Sequence, residues 1–98
     1  MSESRFQRRL LDRIENMFPE CICLKTDPNY IQGIPDWIVL NGDRWIAIEA
    51  KRSSKASKRP NQVHWVTIMN QMSYARFVYP ENEEEVLNEI RRALRPSR

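Results

Sequence analysis

A short turn between two apolar runs constrains the fold of this chain more than any other feature. Asn41 to Asp43 separates the run Trp37 to Leu40 from the run Trp45 to Ala50, and both runs are rich in β-branched and aromatic residues. A turn containing Asn-Gly between two such runs is typical of a tight β-hairpin. The sequence therefore predicts two antiparallel strands joined by a two-residue turn.

This hairpin brings together charged residues that are distant in the sequence. Asp36 precedes the first run, and Glu49 and Lys51 stand at the end of the second. A turn at residues 41–42 offsets Asp36 from Glu49 by two positions, whereas a turn at residues 42–43 places them directly opposite. Because side chains alternate along a strand, all three residues share one face in either register. The alternation alone leaves both registers open.

Two carboxylates on one sheet face form a candidate site for a hard divalent cation. Mg²⁺ prefers one or two carboxylates completed by waters and substrate phosphate oxygens, and such a site supports phosphodiester hydrolysis. The simpler alternative is that Asp36 only begins a strand and that Glu49 and Lys51 form a surface ion pair. Glu49 ends an apolar run, where an unpaired charge is costly to bury, so a functional site explains it better.

The chain resembles a known nuclease family at these positions. The pattern is similar to that of the PD-(D/E)XK nuclease superfamily and, within it, of the virus-type replication-repair nuclease (VRR-NUC) domain. The resemblance covers nearly the whole chain. The residues that carry it are Gly33, Pro35, Asp36, Glu49, Lys51 and Gln62.

The resemblance implies a set of catalytic residues and metal ligands. It assigns Asp36, Glu49 and the backbone carbonyl of Ala50 as ligands of Mg²⁺ or Mn²⁺. It assigns Lys51 to position or activate the attacking water, and Gln62 as a further catalytic residue at the start of the next helix. The family also carries a glutamate on its first helix, which would be a further ligand. Two residues match that position, with Glu3 the better match and Glu15 the reserve.

The same resemblance implies an activity and a substrate. It predicts a metal-dependent endodeoxyribonuclease that selects branched DNA, such as four-way (Holliday) junctions, and acts as a homodimer. An alternative is a catalytically weak DNA-binding module that keeps the nuclease fold. A third reading, from a different functional class, is a protein-interaction domain with fortuitous charges.

Composition and charge are compatible with this reading. The 98 residues are 41% hydrophobic and carry a net charge of +3, which fits one domain spanning residues 1–98 but is weak support for nucleic-acid binding. The local charge is more informative, because a serine-rich segment after Lys51 is basic and is predicted to be a mobile loop that binds DNA phosphates. A solvated linker is the alternative. Its predicted DNA-binding residues are Arg52, Lys55, Lys58 and Arg59.

Two further observations concern cellular context. Cys21 and Cys23 are too close along one strand for a disulfide and too few for a structural zinc site, so reduced thiols are expected. No apolar run is long enough to cross a membrane, and the first residues are charged. The sequence therefore predicts a soluble cytoplasmic protein without a membrane partner.

The remaining periodicity predicts an α/β sandwich of the PD-(D/E)XK type, in the order α-β-β-β-α-β-α. A helix capped by Ser2 or Ser4 precedes a strand, Cys21 to Thr26, that is expected to lie beside the hairpin. On that strand Lys25 either faces the substrate or discourages edge pairing. A mixed sheet of about four strands is flanked by helices.

The second half of the chain predicts two helices and a strand between them. The helix beginning at Pro60 carries a broad apolar arc that includes Val63 and Met72. The last helix is predicted to have a first turn capped by Asn82. The chain beyond Leu94 is expected to fray.

Overall fold

The computed structural model describes residues 1–97 and confirms the predicted order of elements. Within this range no helix is both long enough and apolar enough to cross a membrane. A short 3₁₀ turn, Pro80–Asn82, precedes the last helix. The elements are α1 (Glu3–Met17), β1 (Ile22–Lys25), β2 (Trp37–Asn41), β3 (Arg44–Ala50), α2 (Pro60–Met72), β4 (Ala75–Val78) and α3 (Glu83–Ala93).

The four strands form one mixed sheet in the order β1-β2-β3-β4. The β1–β2 and β2–β3 pairs are antiparallel, and β3 and β4 are parallel. Parallel neighbours need a crossover connection, which α2 supplies. The α/β class and the mixed sheet of four strands predicted from the sequence are therefore confirmed.

The hairpin register decides between the two turns that the sequence left open. Trp37 pairs with Ile48 and Asn41 pairs with Arg44, so the turn residues are Gly42 and Asp43. Gly42 has a φ of +60°, and within residues 1–97 no non-glycine residue has positive φ. A glycine with positive φ at the first turn position is typical of a type II′ hairpin turn, whose twist matches that of the strands. One position beyond the Trp37–Ile48 pair, Asp36 lies level with Glu49.

Each face of the sheet has its own apolar core. The larger core lies between the sheet and the helices α1 and α3, and the smaller one lies between the sheet and α2. Alternation along β3 sends Ile46 and Ile48 to the larger core and Ala47 to the smaller one. By the same alternation, Glu49 and Lys51 belong to the α2 side.

Helices α1 and α3 are joined by an ion pair at their packed faces. The buried Glu83 accepts from Arg9 at 2.6 Å and lies 3.3 Å from Arg13. The first helix begins as expected, because the side chain of Ser2 accepts a hydrogen bond from the backbone N–H of Arg5. The two arginine contacts therefore tie α1 to the first turn of α3.

The apolar arc of α2 is narrower than its sequence predicts. Val66 and Met69 are buried, but Val63 is 44% exposed and Met72 is 70% exposed. The helix packs against β3 and β4. The helix therefore packs on the sheet as expected, but in residues 1–97 only part of its apolar arc is covered.

Two expectations about the C-terminal part of the chain need refinement. Asn82 occupies the N-cap position of α3 as predicted, but its side chain makes no hydrogen bond to the helix. It accepts instead from the backbone N–H of Tyr79 and donates to the carbonyl of Phe77, which closes the 3₁₀ turn. Of the residues beyond Leu94 that were expected to fray, the structure describes 95–97, and Arg98 lies outside the described residues. Residues 95–97 lie at the hairpin turn, where the backbone N–H of Ser97 donates to Asp43 at 3.2 Å.

Candidate active site

A cleft of about 280 Å³ opens at the end of the sheet opposite the hairpin turn. The start of β2, the end of β3 and the first turn of α2 meet there, together with the loop that precedes β2. Of the site residues named from the sequence, Asp36, Glu49 and Gln62 line this cleft, whereas Lys51 and Glu3 are not among its lining residues. The lining residues are Pro28, Asn29, Gln32, Gly33, Ile34, Asp36, Glu49, Arg59, Asn61 and Gln62.

Asp36 and Glu49 are adjacent at the base of the cleft. The backbone N–H of Asp36 donates to Oε1 of Glu49 at 3.1 Å. Burial and, to a smaller extent, the negative charge of Asp36 together raise the pKa of Glu49 to about 7, against the opposing effect of Lys51. The protein thus holds a buried carboxyl group next to a second carboxylate, an arrangement that a cation would stabilise.

Gln62 links Glu49 to Lys51. Its Oε1 accepts from Nζ of Lys51 at 3.0 Å and from the backbone N–H of Arg59 at 3.0 Å, and its Nε2 donates to Glu49 Oε2 at 3.2 Å. Because a backbone N–H and an ammonium group only donate, the amide oxygen must face them and the NH₂ group must face Glu49. Gln62 therefore fixes the ammonium and the carboxylate relative to each other.

Gln7 holds Asp36 in a similar way and is absent from the sequence-based set. Its Nε2 donates to Asp36 Oδ2 at 3.0 Å, and its Oε1 accepts from the indole N–H of Trp37 at 3.3 Å. The available signal was its position one helical turn after Glu3, on the face that points towards the site. Each carboxylate is thus oriented by one glutamine from a different helix.

Lys25 of the edge strand β1 also reaches the site. Its Nζ lies 3.6 Å from Asp36 Oδ1 and 5.6 Å from the centre of the Trp37 ring. The sequence left open whether this lysine faces the substrate or guards the edge of the sheet. In the structure it faces a candidate metal ligand.

The two candidate helix glutamates lie at different ends of α1. Glu3, in the first turn, is exposed, and its negative charge contributes to the raised pKa of Glu49. Glu15, near the other end, contributes instead to the raised pKa values of Cys21 and Cys23. Glu3 is therefore the closer to the site of the two.

No third carboxylate completes the pair in the part of the chain that the structure describes. Residues 1–97 contain no group of three or more His, Cys, Asp or Glu side chains arranged to hold a metal ion. Ala50, whose carbonyl the resemblance adds as a ligand, is buried in β3 between Glu49 and Lys51. The candidate side-chain ligands gathered at the cleft are Asp36 and Glu49.

The basic segment between β3 and α2 is neither helix nor strand, but several of its side chains contact the rest of the protein. Ser54 donates to Glu81 through its backbone N–H at 3.1 Å and through its hydroxyl at 3.0 Å. Lys58 Nζ lies 5.3 Å from the ring centre of Phe77 and 5.5 Å from that of Tyr79. The four basic residues predicted to bind DNA are exposed, and one of them lines the cleft. They are Arg52, Lys55, Lys58 and Arg59.

The loop before β2 forms the wall of the cleft that faces α2. Gly33 has a φ of +83°, and a Cβ atom there would lie 2.6 Å from the side chain of Asn61. Only glycine combines this backbone conformation with so close an approach. The contact between Gly33 and Asn61 therefore sets the width of the cleft.

Comparison with known proteins finds similarity at the level of structure. Neither protein-family models nor curated proteins match the sequence. A solved structure of a "VRR_NUC domain protein" matches with a TM-score of 0.69 and 15% identity, over 96% of this chain and 88% of that chain. The α/β architecture of this chain is therefore a VRR-NUC nuclease-like fold.

Proposed function

We propose that this protein is a divalent-metal-dependent DNA endonuclease. The observation that carries the proposal is the chain of hydrogen bonds from Asp36 through Glu49 and Gln62 to Lys51. The first three of these residues line the open cleft. Two carboxylates beside a lysine suit phosphodiester hydrolysis, because a metal site and a compact cationic donor then face the same phosphate. The VRR-NUC nuclease-like fold supports this choice of reaction over other hydrolyses.

The residues at the base of the cleft fit Mg²⁺ or Mn²⁺. Asp36, Glu49 and the carbonyl of Ala50 would hold the ion, with water and phosphate oxygens completing its coordination. The raised pKa of Glu49 supports this fit, because it reflects first the burial of this carboxyl group and then the negative charge of Asp36, both of which a bound cation would offset. When bound, the metal would lower the pKa of a water and polarise the phosphoryl group. Glu3, exposed at the start of α1, is proposed as an outer group that adds negative charge to the site.

Lys51 and Gln62 then act together on the attacking water and the phosphate. Gln62 holds Nζ of Lys51 at 3.0 Å, so the ammonium group is oriented before substrate arrives. Lys51 stabilises the negative charge that develops on the attacked phosphate, and it orients the attacking water. Hydrogen bonds that are formed in advance do not have to be reorganised during the reaction.

The basic segment and the start of α2 would hold the DNA backbone. Arg59 lines the cleft beside the first turn of α2, where backbone N–H groups and the helix dipole favour anions. Arg52, Lys55 and Lys58 would extend this contact along the phosphates without reading the base sequence. The proposed substrate class is branched DNA, including four-way junctions, cut by a homodimer in the cytoplasm. Two clefts in one assembly would serve the two cuts that such a junction needs.

Substitution of the two carboxylates tests the proposal. Asp36→Asn and Glu49→Gln should each lose Mn²⁺ binding in calorimetry and lose cleavage of labelled linear and four-way DNA, because each amide removes one ligand charge. Asp12→Asn and Glu15→Gln remove the same charge from exposed positions on α1 and should retain both properties.

The outcomes of this experiment separate the two main functions. Metal binding and cleavage by the native protein, both lost in the two carboxylate variants, would support the endonuclease. DNA retention without cleavage at any metal concentration would identify a DNA-binding module with a nuclease fold. Unchanged Mn²⁺ affinity in both carboxylate variants would refute the metal assignment.

A further inference from the structure

Lys25 has no role in the mechanism above, yet it approaches one of the candidate metal ligands. It pairs with Trp37 at the end of β1, and its side chain is 51% exposed. Its Nζ lies 3.6 Å from Asp36 Oδ1, while Asp36 is only 20% exposed. A lysine whose only role was to discourage edge pairing would not need to reach a half-buried carboxylate at the base of a cleft.

Both oxygens of Asp36 have partners in the metal-free protein, but the two partners differ in charge. Oδ2 accepts from the neutral amide of Gln7 at 3.0 Å, and this bond is compatible with metal binding because each carboxylate oxygen has more than one lone pair. Oδ1 faces the positive charge of Lys25. A divalent cation on Asp36 would stand within a few ångströms of that charge and would repel it.

The side chain of Lys25 is able to move away from Asp36. Its flexible four-carbon stem is half exposed, and its ammonium group already lies 5.6 Å from the face of the Trp37 ring. Substrate phosphates would complete the coordination of Mg²⁺, so a phosphate oxygen would be available to the ammonium group released from Asp36.

We infer that Lys25 is a phosphate-binding residue of this cleft, held by Asp36 in the metal-free protein and released to the DNA by the divalent cation. The inference rests on the proposed function, because it needs both a metal and a nucleic-acid substrate. It adds a residue on β1 to the DNA contacts of the basic segment, on the other side of the carboxylate pair. The coupling is reciprocal, so metal binding and DNA binding by Lys25 favour each other.

Metal binding without DNA gives the first test. Lys25→Met removes the charge that competes for Asp36, so Mn²⁺ should bind about fivefold or more tightly, as measured by calorimetry. Lys25→Arg keeps the charge and should stay near the native affinity. Equal Mn²⁺ affinity in the native and Lys25→Met proteins would overturn the inference. Failure of the native protein itself to bind Mn²⁺ would instead overturn the proposed function.

DNA binding with and without metal gives the second test, using a phosphorothioate-linked DNA that is cleaved slowly. With Mn²⁺ present, Lys25→Met should weaken binding in fluorescence anisotropy and lower the salt slope by about one unit. Without metal it should match the native protein, because Asp36 then holds Lys25. Lys55→Met, in the basic segment, should lose equal affinity under both conditions. If Lys25→Met loses the same DNA affinity with and without Mn²⁺, the inference that the metal releases Lys25 from Asp36 is overturned.

Discussion

The ammonium group of Lys51 donates a hydrogen bond to the amide oxygen of Gln62 at 3.0 Å, and the amide NH₂ of Gln62 donates to Glu49 at 3.2 Å. The lysine is therefore oriented by a side chain that also orients a candidate metal ligand. Residues that orient metal ligands in this way commonly contribute tenfold to a hundredfold to metal affinity or activity.

Gln62→Ala should lower the single-turnover rate constant by about tenfold to a hundredfold, because it releases both Lys51 and Glu49. Gln71→Ala, an exposed glutamine later in the same helix, is the matched control and should keep the native rate. Single-turnover cleavage at saturating metal measures the effect. Equal rate constants for the two variants would show that the hydrogen bonds of Gln62 to Lys51 and Glu49 have no catalytic role.

The raised pKa of Glu49 predicts how stability depends on pH in the metal-free protein. The folded state retains a proton up to about pH 7, whereas an unfolded glutamate releases it near 4.5. The free energy of unfolding should therefore fall as the pH rises between these values, by less than ~1.4 kcal/mol per pH unit. Urea titrations in a chelating buffer measure it. Glu49→Gln should lack this contribution, and identical pH profiles for the two proteins would contradict the prediction.

Gly33→Ala should destabilise the protein by about 1–3 kcal/mol, because alanine strains a backbone with φ +83° and its Cβ would lie 2.6 Å from Asn61. Gly42→Ala is a useful comparison. Gly42 also has positive φ, but its nearest new contact would be at 3.3 Å from Pro96. Thermal or urea unfolding should thus show a larger loss for Gly33→Ala. A smaller loss of stability for Gly33→Ala than for Gly42→Ala would mean that the loop before β2 rearranges to accept the new side chain.

Local sequence patterns were sufficient to predict the hairpin and its shared polar face. Alternating apolar residues and a glycine turn act over a few positions, so Asp36, Glu49 and Lys51 could be placed on one face before the structure was known. The register stayed open because both turns preserve that face. The backbone of Gly42, with positive φ at the first turn position, decides it.

Contacts between distant parts of the chain have no local sequence pattern like that of the hairpin. Gln7 is separated from Asp36 by 29 positions, and neither its amide type nor its helical position identifies that partner. The pairing of Lys25 with Asp36 depends on how β1 lies beside β2. The exposed Met72 likewise reflects how little of the sheet lies beneath the outer side of α2. Such features follow from packing between elements, which hydrophobic periodicity does not specify.

Replacing Lys55, Lys58 and Arg59 with alanine should weaken binding to all DNA sequences alike and lower the salt slope by about one unit per lost phosphate contact. The matched control replaces Arg91, Arg92 and Arg95, which removes equal charge at the C-terminal end of α3. That end is tied to the hairpin turn, because Asn41 donates to the carbonyl of Leu94, so it lies away from the cleft. Equal salt slopes for the two triple variants would show that only net charge matters.

Lys51→Ala should abolish turnover while leaving metal affinity and most of the DNA affinity in place. The reason is that the ammonium group is most useful where negative charge develops on the attacked phosphate and the incoming hydroxide, and less useful in the ground state. Asp36 and Glu49 keep their own hydrogen bond without Lys51, so the metal ligands should stay in position. Single-turnover kinetics at saturating metal separate the two effects. A rate constant within about threefold of the native value, or under ~0.7 kcal/mol of barrier, would remove Lys51 from the mechanism.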